Sequence, residues 1–157
     1  MIRALAVIHL LAVALLAVGP LPLDPEAIAA ARDAARLDHN PEPFATLQRQ
    51  LASGPDRDAM IQLIGNLLLL APLGVYGPAL WRPLRSFAAI AVVAAGLSTA
   101  IELGQLGLSE LYGFPIRIAD VDDVILNTAG ALIGYAAWRV ATSGGTADSG
   151  RIAKASR

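Results

Sequence analysis

The sequence predicts an all-α, polytopic integral membrane protein with four transmembrane helices and an interfacial helical loop between the first two. Composition is the first observation behind this class, because 55% of the residues are apolar and only 16% are charged. The mean hydropathy of +0.56 is the second, since it is too high for an ordinary soluble domain of this size. The third is that four apolar runs alternate with short polar or basic stretches.

Residues 1–23 are predicted to form the first transmembrane helix. Its apolar run is interrupted only by His9. We expect the helix to stay uncleaved, because Pro20 and Pro22 stand where a signal peptidase needs an extended, proline-free segment. His9 is interpreted as a residue that reaches the membrane interface or bonds a neighbouring helix, rather than as a ligand of a metal or cofactor.

Residues 24–59 are too polar to span and are predicted to form an extracytoplasmic loop with short amphipathic helices. A proline in a first turn that is rich in acids predicts one helix from Pro25 to Leu37. Phe44, Leu47 and Leu51 share one face of a second helix, as expected for a helix that lies in the membrane interface.

Residues 60–140 contain the three remaining apolar runs and are predicted to form a three-helix core. The predicted spans are Met60–Leu80, Phe87–Leu108 and Asp120–Val140. The Gly-, Ser- and Thr-rich residues 141–157 that follow are predicted to be a disordered cytoplasmic tail.

The distribution of charge predicts the orientation. One side of the membrane receives seven basic residues and one acid, whereas the two loops on the other side hold eleven acids and five arginines. The excess of basic residues marks the cytoplasmic side. We therefore expect a multi-pass protein of the bacterial cytoplasmic membrane with both termini in the cytoplasm.

Polar residues on three of the predicted spans lie at similar depth. At ~1.5 Å per residue, they fall about 9 to 12 Å below the outer surface, whereas Asp122 points away from them on a helical wheel. Such groups need partners in protein or trapped water, because lipid offers them none. The predicted polar layer contains Asn66, Glu102, Gln105, Asp123 and Asn127, with Arg117 and Asp120 at its mouth.

Two interpretations of this polar layer remain open. Asp120 and Asp123 suit the first turn of a helix, and Gly130-x-x-x-Gly134 is a helix-packing motif, so the layer could serve only to hold helices together. Alternatively, it forms a pocket open to the outer leaflet, because one glutamate and several aspartates are more charge than packing requires.

Several motifs resemble those of the VanZ-like membrane protein family. They occur in the family's order and spacing, from about Asn40 to Tyr135, and Leu70 stands where the family often has phenylalanine. The resemblance implies a small multi-helix membrane protein, related to a member associated with teicoplanin resistance. The motifs are N-P-E-P-F-A-T-L at 40–47, I-Q-L-I-G-N at 61–66, A-P-L-G at 71–74, I-E-L-G-Q at 101–105 and the segment 117–135.

The residues allow two main classes of function. The first is a non-enzymatic protein whose polar, acidic pocket binds an envelope lipid head group or a lipid-bearing compound, with Arg117 contacting an anionic group. The second is a membrane-embedded enzyme acting on lipid-linked or phosphorylated substrates, in which Glu102 or Asp123 is the base and paired carboxylates hold Mg²⁺. A proton-coupled transporter is a third, less favoured class, because four spans without a repeat are few.

Catalysis is the less favoured alternative, because no nucleophile constellation is evident and the chain has no cysteine. No catalytic residue, cofactor, metal or nucleic-acid partner is predicted. The expected partners are membrane lipids and an envelope lipid-linked ligand, and the glycine motif also permits self-association.

Overall fold

The computed structural model describes residues 1–19, 24–26, 28–29, 40–54, 56–113 and 119–155. Over these residues the structure is helical, apart from turns and one isolated parallel bridge. The all-α class predicted from the sequence is therefore confirmed. The loop helix predicted from Pro25 to Leu37 lies largely outside the described residues. The helices are α1 (Ile2–Val18), α2 (Ala45–Ser53), α3 (Arg57–Leu80), a 3-10 helix (Arg82–Arg85), α4 (Phe87–Tyr112) and α5 (Val121–Ala155).

Within the described residues, three helices are long and apolar enough to cross a membrane. These segments are Arg57–Leu80, Phe87–Tyr112 and Val121–Ser143. By contrast, α1 has 17 residues, and such a helix rises about 25 Å, less than the ~30 Å of a hydrocarbon core. It ends at Gly19, whose φ of 63° is a left-handed value that no helix continues through. Length and composition thus support three of the four predicted spans, and the first is a shorter apolar helix.

The outer surfaces of these helices are apolar. Leu68 on α3, Val92 on α4 and Ile133 on α5 are 63%, 71% and 63% exposed. Exposing many large apolar side chains to water is unfavourable, whereas their contact with lipid tails is favourable. The surface therefore agrees with a multi-pass membrane protein.

Glycines bring α3 and α5 into backbone contact. The sequence predicts that Gly130 and Gly134 pack a helix, and the structure gives them α3 as their partner. A Cβ atom on any of three glycines would clash with the facing backbone, so only glycine permits this approach. The added Cβ would lie 1.9 Å from the Ala131 oxygen for Gly74, 1.9 Å from the Leu67 oxygen for Gly130 and 2.0 Å from the Ala71 oxygen for Gly134.

α1 packs on α3 through a histidine. His9 Nε2 lies 2.7 Å from the Leu69 carbonyl oxygen and Nδ1 lies 3.0 Å from the Tyr76 hydroxyl. Because a carbonyl can only accept, Nε2 donates, and in the neutral ring Nδ1 accepts from Tyr76. Pro72 lies in the same turn of α3, and its missing N–H leaves without a helical donor the Leu68 carbonyl, which is adjacent to the one that His9 bonds. The interpretation that His9 bonds a neighbouring helix is confirmed.

The last helix continues beyond its predicted end. The sequence predicts a span to Val140 and a disordered tail from residue 141, whereas α5 is helical as far as Ala155. Thr142 donates to the Trp138 carbonyl at 3.0 Å and Ser143 to the Arg139 carbonyl at 2.7 Å. Serine and threonine hydroxyls can either help to end a helix or bond a carbonyl inside it. Here they bond inside the helix.

Candidate functional site

Two distant parts of the chain join at the head of α5. The Asn40 amide N–H donates to the Ala119 carbonyl at 3.1 Å, and the Val121 N–H donates to the Asn40 carbonyl at 3.2 Å. The Asn40 side-chain amide also donates to Asp120 Oδ1 at 3.0 Å. This short parallel bridge places the segment before α2 directly against the start of α5.

Asp120 caps α5 and is itself bonded to α4. Its Oδ1 accepts from the Asp122 N–H at 2.9 Å, which is the bond of an N-cap residue. The Asp120 N–H donates to Glu102 Oε2 at 3.1 Å. Both carboxylates are buried, Asp120 at 6% and Glu102 at 8% exposure. Glu102 therefore faces protein rather than lipid and links α4 to the head of α5.

Asp122 is a buried acid that the predicted polar layer leaves out. It is 3% exposed and accepts from the N–H groups of Phe44 and Leu47, the latter at 3.0 Å. These groups belong to the start of α2, whose N-cap residue Phe44 provides no side-chain cap. The sequence carries one signal for this contact. The first turn of α2 has no capping side chain of its own, so its N–H groups need an acceptor from another segment.

Asp123 is bonded to α3 on another side of α5. Its Oδ1 accepts from Asn66 Nδ2 and, at 3.4 Å, from Gln62 Nε2. Gln62 in turn accepts from Gln50 of α2 at 3.2 Å. The Asp123 side chain remains partly exposed, and its second oxygen, Oδ2, receives no hydrogen bond from a described residue. One carboxylate oxygen is thus available to a ligand.

Asp123 lines a small recess between α2, α3 and α5. The recess has room for about one water molecule, so it can receive one terminal polar group rather than a whole small molecule. None of the described residues that line it is a lysine or arginine. Its walls are formed by Thr46, Leu47, Gln50, Gln62, Leu63, Asp122, Asp123 and Leu126.

The remaining predicted residues lie toward α4. Asn127 is 1% exposed and its Nδ2 donates to Ser98 Oγ at 2.8 Å. Gln105, on α4, is partly buried. Arg117 lies outside the described residues, so its predicted place at the mouth of the layer stays a prediction.

The predicted single layer is therefore two groups separated by α5. Asn66 and Asp123 pair between α3 and α5, whereas Glu102, Asp120 and Asn127 bond between α4 and α5. Among the described members of the predicted set, Asp123 alone lines the recess. No group of three or more His, Cys, Asp or Glu residues within the described ranges is arranged to hold a metal ion.

Three apolar helices of spanning length, with acids and amides buried at one end, indicate a multi-pass membrane protein. The model of the VanZ/LLP1 family matches residues 6–142, most of the chain, and the chain belongs to this VanZ-like family. The match includes most of α1, so it extends beyond the motifs that carried the resemblance. Searches of curated proteins and of solved structures found no match to this chain.

Proposed function

We propose that this protein is a non-enzymatic member of the VanZ-like family that binds the polar head group of an envelope lipid or lipid-bearing compound at the recess beside Asp123. The observation that carries the proposal is a partly exposed carboxylate whose Oδ1 is held by Gln62 and Asn66, while its Oδ2 receives no hydrogen bond from the part of the chain that the structure describes. An acid kept in place by two amides but left open on one oxygen is prepared for an outside donor.

The chemistry of the recess favours a ligand with an ammonium or hydroxyl group. Two carboxylates and no basic residue are among the described residues of its walls, so a positive or hydrogen-bond-donating group is attracted and an anionic group is repelled. Since the recess admits about one small group, the rest of the ligand lies outside it, where exposed apolar helix surfaces can hold an acyl chain. Arg117, on the segment leading to α5, would contact an anionic part of the same ligand.

The proposed orientation puts this recess at the extracytoplasmic face of the bacterial cytoplasmic membrane. It follows from the seven basic residues and one acid assigned to the opposite side. In this topology α1 crosses the bilayer as a fourth, shorter helix and both termini are cytoplasmic. A role like that of the family's teicoplanin-resistance member is part of the same proposal.

Single cysteines test the topology directly, because the natural chain has none. We expect a membrane-impermeant maleimide to label Ser53→Cys in intact cells and to label Ser143→Cys only after the membrane is permeabilised. Ser53 ends α2 beside the proposed outer face, and Ser143 ends the third candidate span. The opposite pattern would place the recess in the cytoplasm and exclude an outer-leaflet ligand.

Asp123→Asn tests the binding proposal with little change in shape. Asparagine keeps Oδ1 for Gln62 and Asn66 but replaces the free acceptor by an NH₂ donor and removes the charge. We expect native mass spectrometry to show phosphatidylethanolamine retained on the wild type and at least ~10-fold less retained on the variant, as for the loss of one charge-assisted hydrogen bond.

Phosphatidic acid, whose anionic head group carries neither an ammonium nor an alcohol group, serves as the comparison lipid and should be retained weakly by both proteins. Glu110→Gln is the control variant, because Glu110 is exposed at the end of α4 and does not line the recess. Equal retention of both lipids by the wild type and Asp123→Asn would exclude an ammonium-binding recess.

A further inference from the structure

Asn127 has an unpaired acceptor in the core. The residue is 1% exposed, its Nδ2 donates to Ser98 Oγ at 2.8 Å, and its Oδ1 is buried without a partner among the described residues. Buried side-chain acceptors without a partner are uncommon in native proteins, and an ordered water is a frequent explanation. This atom lies toward α4, away from the recess beside Asp123.

The amide orientation follows from its hydrogen bonds, because the oxygen and nitrogen of an amide are told apart by their partners. In the orientation found, Nδ2 donates to Ser98 Oγ and Oδ1 has no partner among the described residues. Leaving a buried acceptor unpaired is costly. A leucine would fill similar volume without this cost, so an amide at this position indicates a polar partner.

The Ser98 hydroxyl has unused capacity at the same place. It is 0% exposed and accepts from Asn127, while no hydrogen bond from it to a described acceptor is present. A donor and an acceptor thus lie side by side, both cut off from solvent. Glu102 follows Ser98 by one helical turn and is also buried, which makes this part of the α4–α5 contact polar.

We infer that one internal water molecule binds between α4 and α5, donating to Asn127 Oδ1 and accepting from the Ser98 hydroxyl. Together with the bond from Nδ2 to Ser98 Oγ, the water closes a ring of three hydrogen bonds. Two defined partners meet the usual minimum for a buried water. The 0% exposure of Ser98 and the 1% exposure of Asn127 favour a ligand as small as water.

A map that resolves ordered waters tests the inference on the wild-type protein. We expect density for one water within about 3 Å of Asn127 Oδ1 and of Ser98 Oγ. Asp56, the exposed N-cap residue of α3, provides an internal reference. Density for waters bound to it shows that the map resolves ordered waters. A dry site in such a map, or a donor from another part of the chain at Oδ1, would overturn the inference.

Nuclear magnetic resonance provides a second test on the folded protein. We expect a cross-peak between the Asn127 side-chain amide protons and water, and its loss in Ser98→Ala, which removes the hydroxyl that holds the water. Thr99→Ala is the matched control, because Thr99 is an exposed neighbour on α4. A cross-peak absent from the wild type, or unchanged in Ser98→Ala, would contradict the proposed water.

Discussion

Gly130→Ala is expected to lower the free energy of unfolding by about 3 kcal/mol or more, at the upper end of overpacking effects. The added methyl would lie 1.9 Å from the Leu67 carbonyl oxygen and 2.8 Å from its carbonyl carbon. Backbone atoms cannot rotate away as a side chain would, so α3 and α5 must separate. Unfolding titrations in mixed detergent micelles, followed by circular dichroism, measure the loss.

Gly96→Ala is the matched control for this prediction. Gly96 is exposed in the middle of α4 and a Cβ there would meet nothing within 4 Å. The same added methyl should therefore be neutral or should stabilise the helix by up to about 1 kcal/mol. Equal stability of Gly130→Ala and Gly96→Ala would mean that α3 and α5 do not approach at backbone distance.

Asp122→Asn is expected to release the start of α2 from the head of α5. Both carboxylate oxygens accept backbone N–H groups, from Phe44 and from Leu47. Asparagine would present an NH₂ to one of these donors and would remove the charge that strengthens both bonds. We expect a loss of about 2 kcal/mol, or roughly 30-fold faster hydrogen exchange at these amides.

Hydrogen exchange read by mass spectrometry on peptides from residues 40–53 checks this result. Glu110→Gln neutralises an exposed acid and should leave the exchange unchanged. Exchange in the α3–α5 glycine contact should also stay slow in Asp122→Asn, because the effect is local. Unchanged protection in residues 44–47 would show that Asp122 does not hold α2.

Much of the fold follows from patterns that a single sequence displays. Apolar runs of sufficient length predict α3, α4 and α5, and a Gly-x-x-x-Gly pair predicts a close helix contact. The start of α5 at Asp120 is also predictable, since an aspartate before an apolar run is a common N-cap. α1 was predicted too long, because an apolar run continues in sequence through Gly19, where the helix ends.

The division of the polar residues was not predictable, because a helical wheel gives angles but no neighbours. Asp123 and Asn127 lie within about 40° of each other around α5, yet the first bonds α3 and the second α4. Asp122 points away from the polar layer on a helical wheel, yet it accepts hydrogen bonds from the start of α2. These outcomes depend on tertiary contacts between segments that are 80 residues apart in the sequence, as for Asn40 and Asp120, which no local period encodes.

The most direct measurement of the central claim is a map of the protein in nanodiscs that contain phosphatidylethanolamine. The proposed function predicts a head group at the recess, with its ammonium nitrogen within about 3 Å of Asp123 Oδ2, and no such density for Asp123→Asn. A recess that holds only water in the wild type, with head groups bound elsewhere or nowhere, would contradict it.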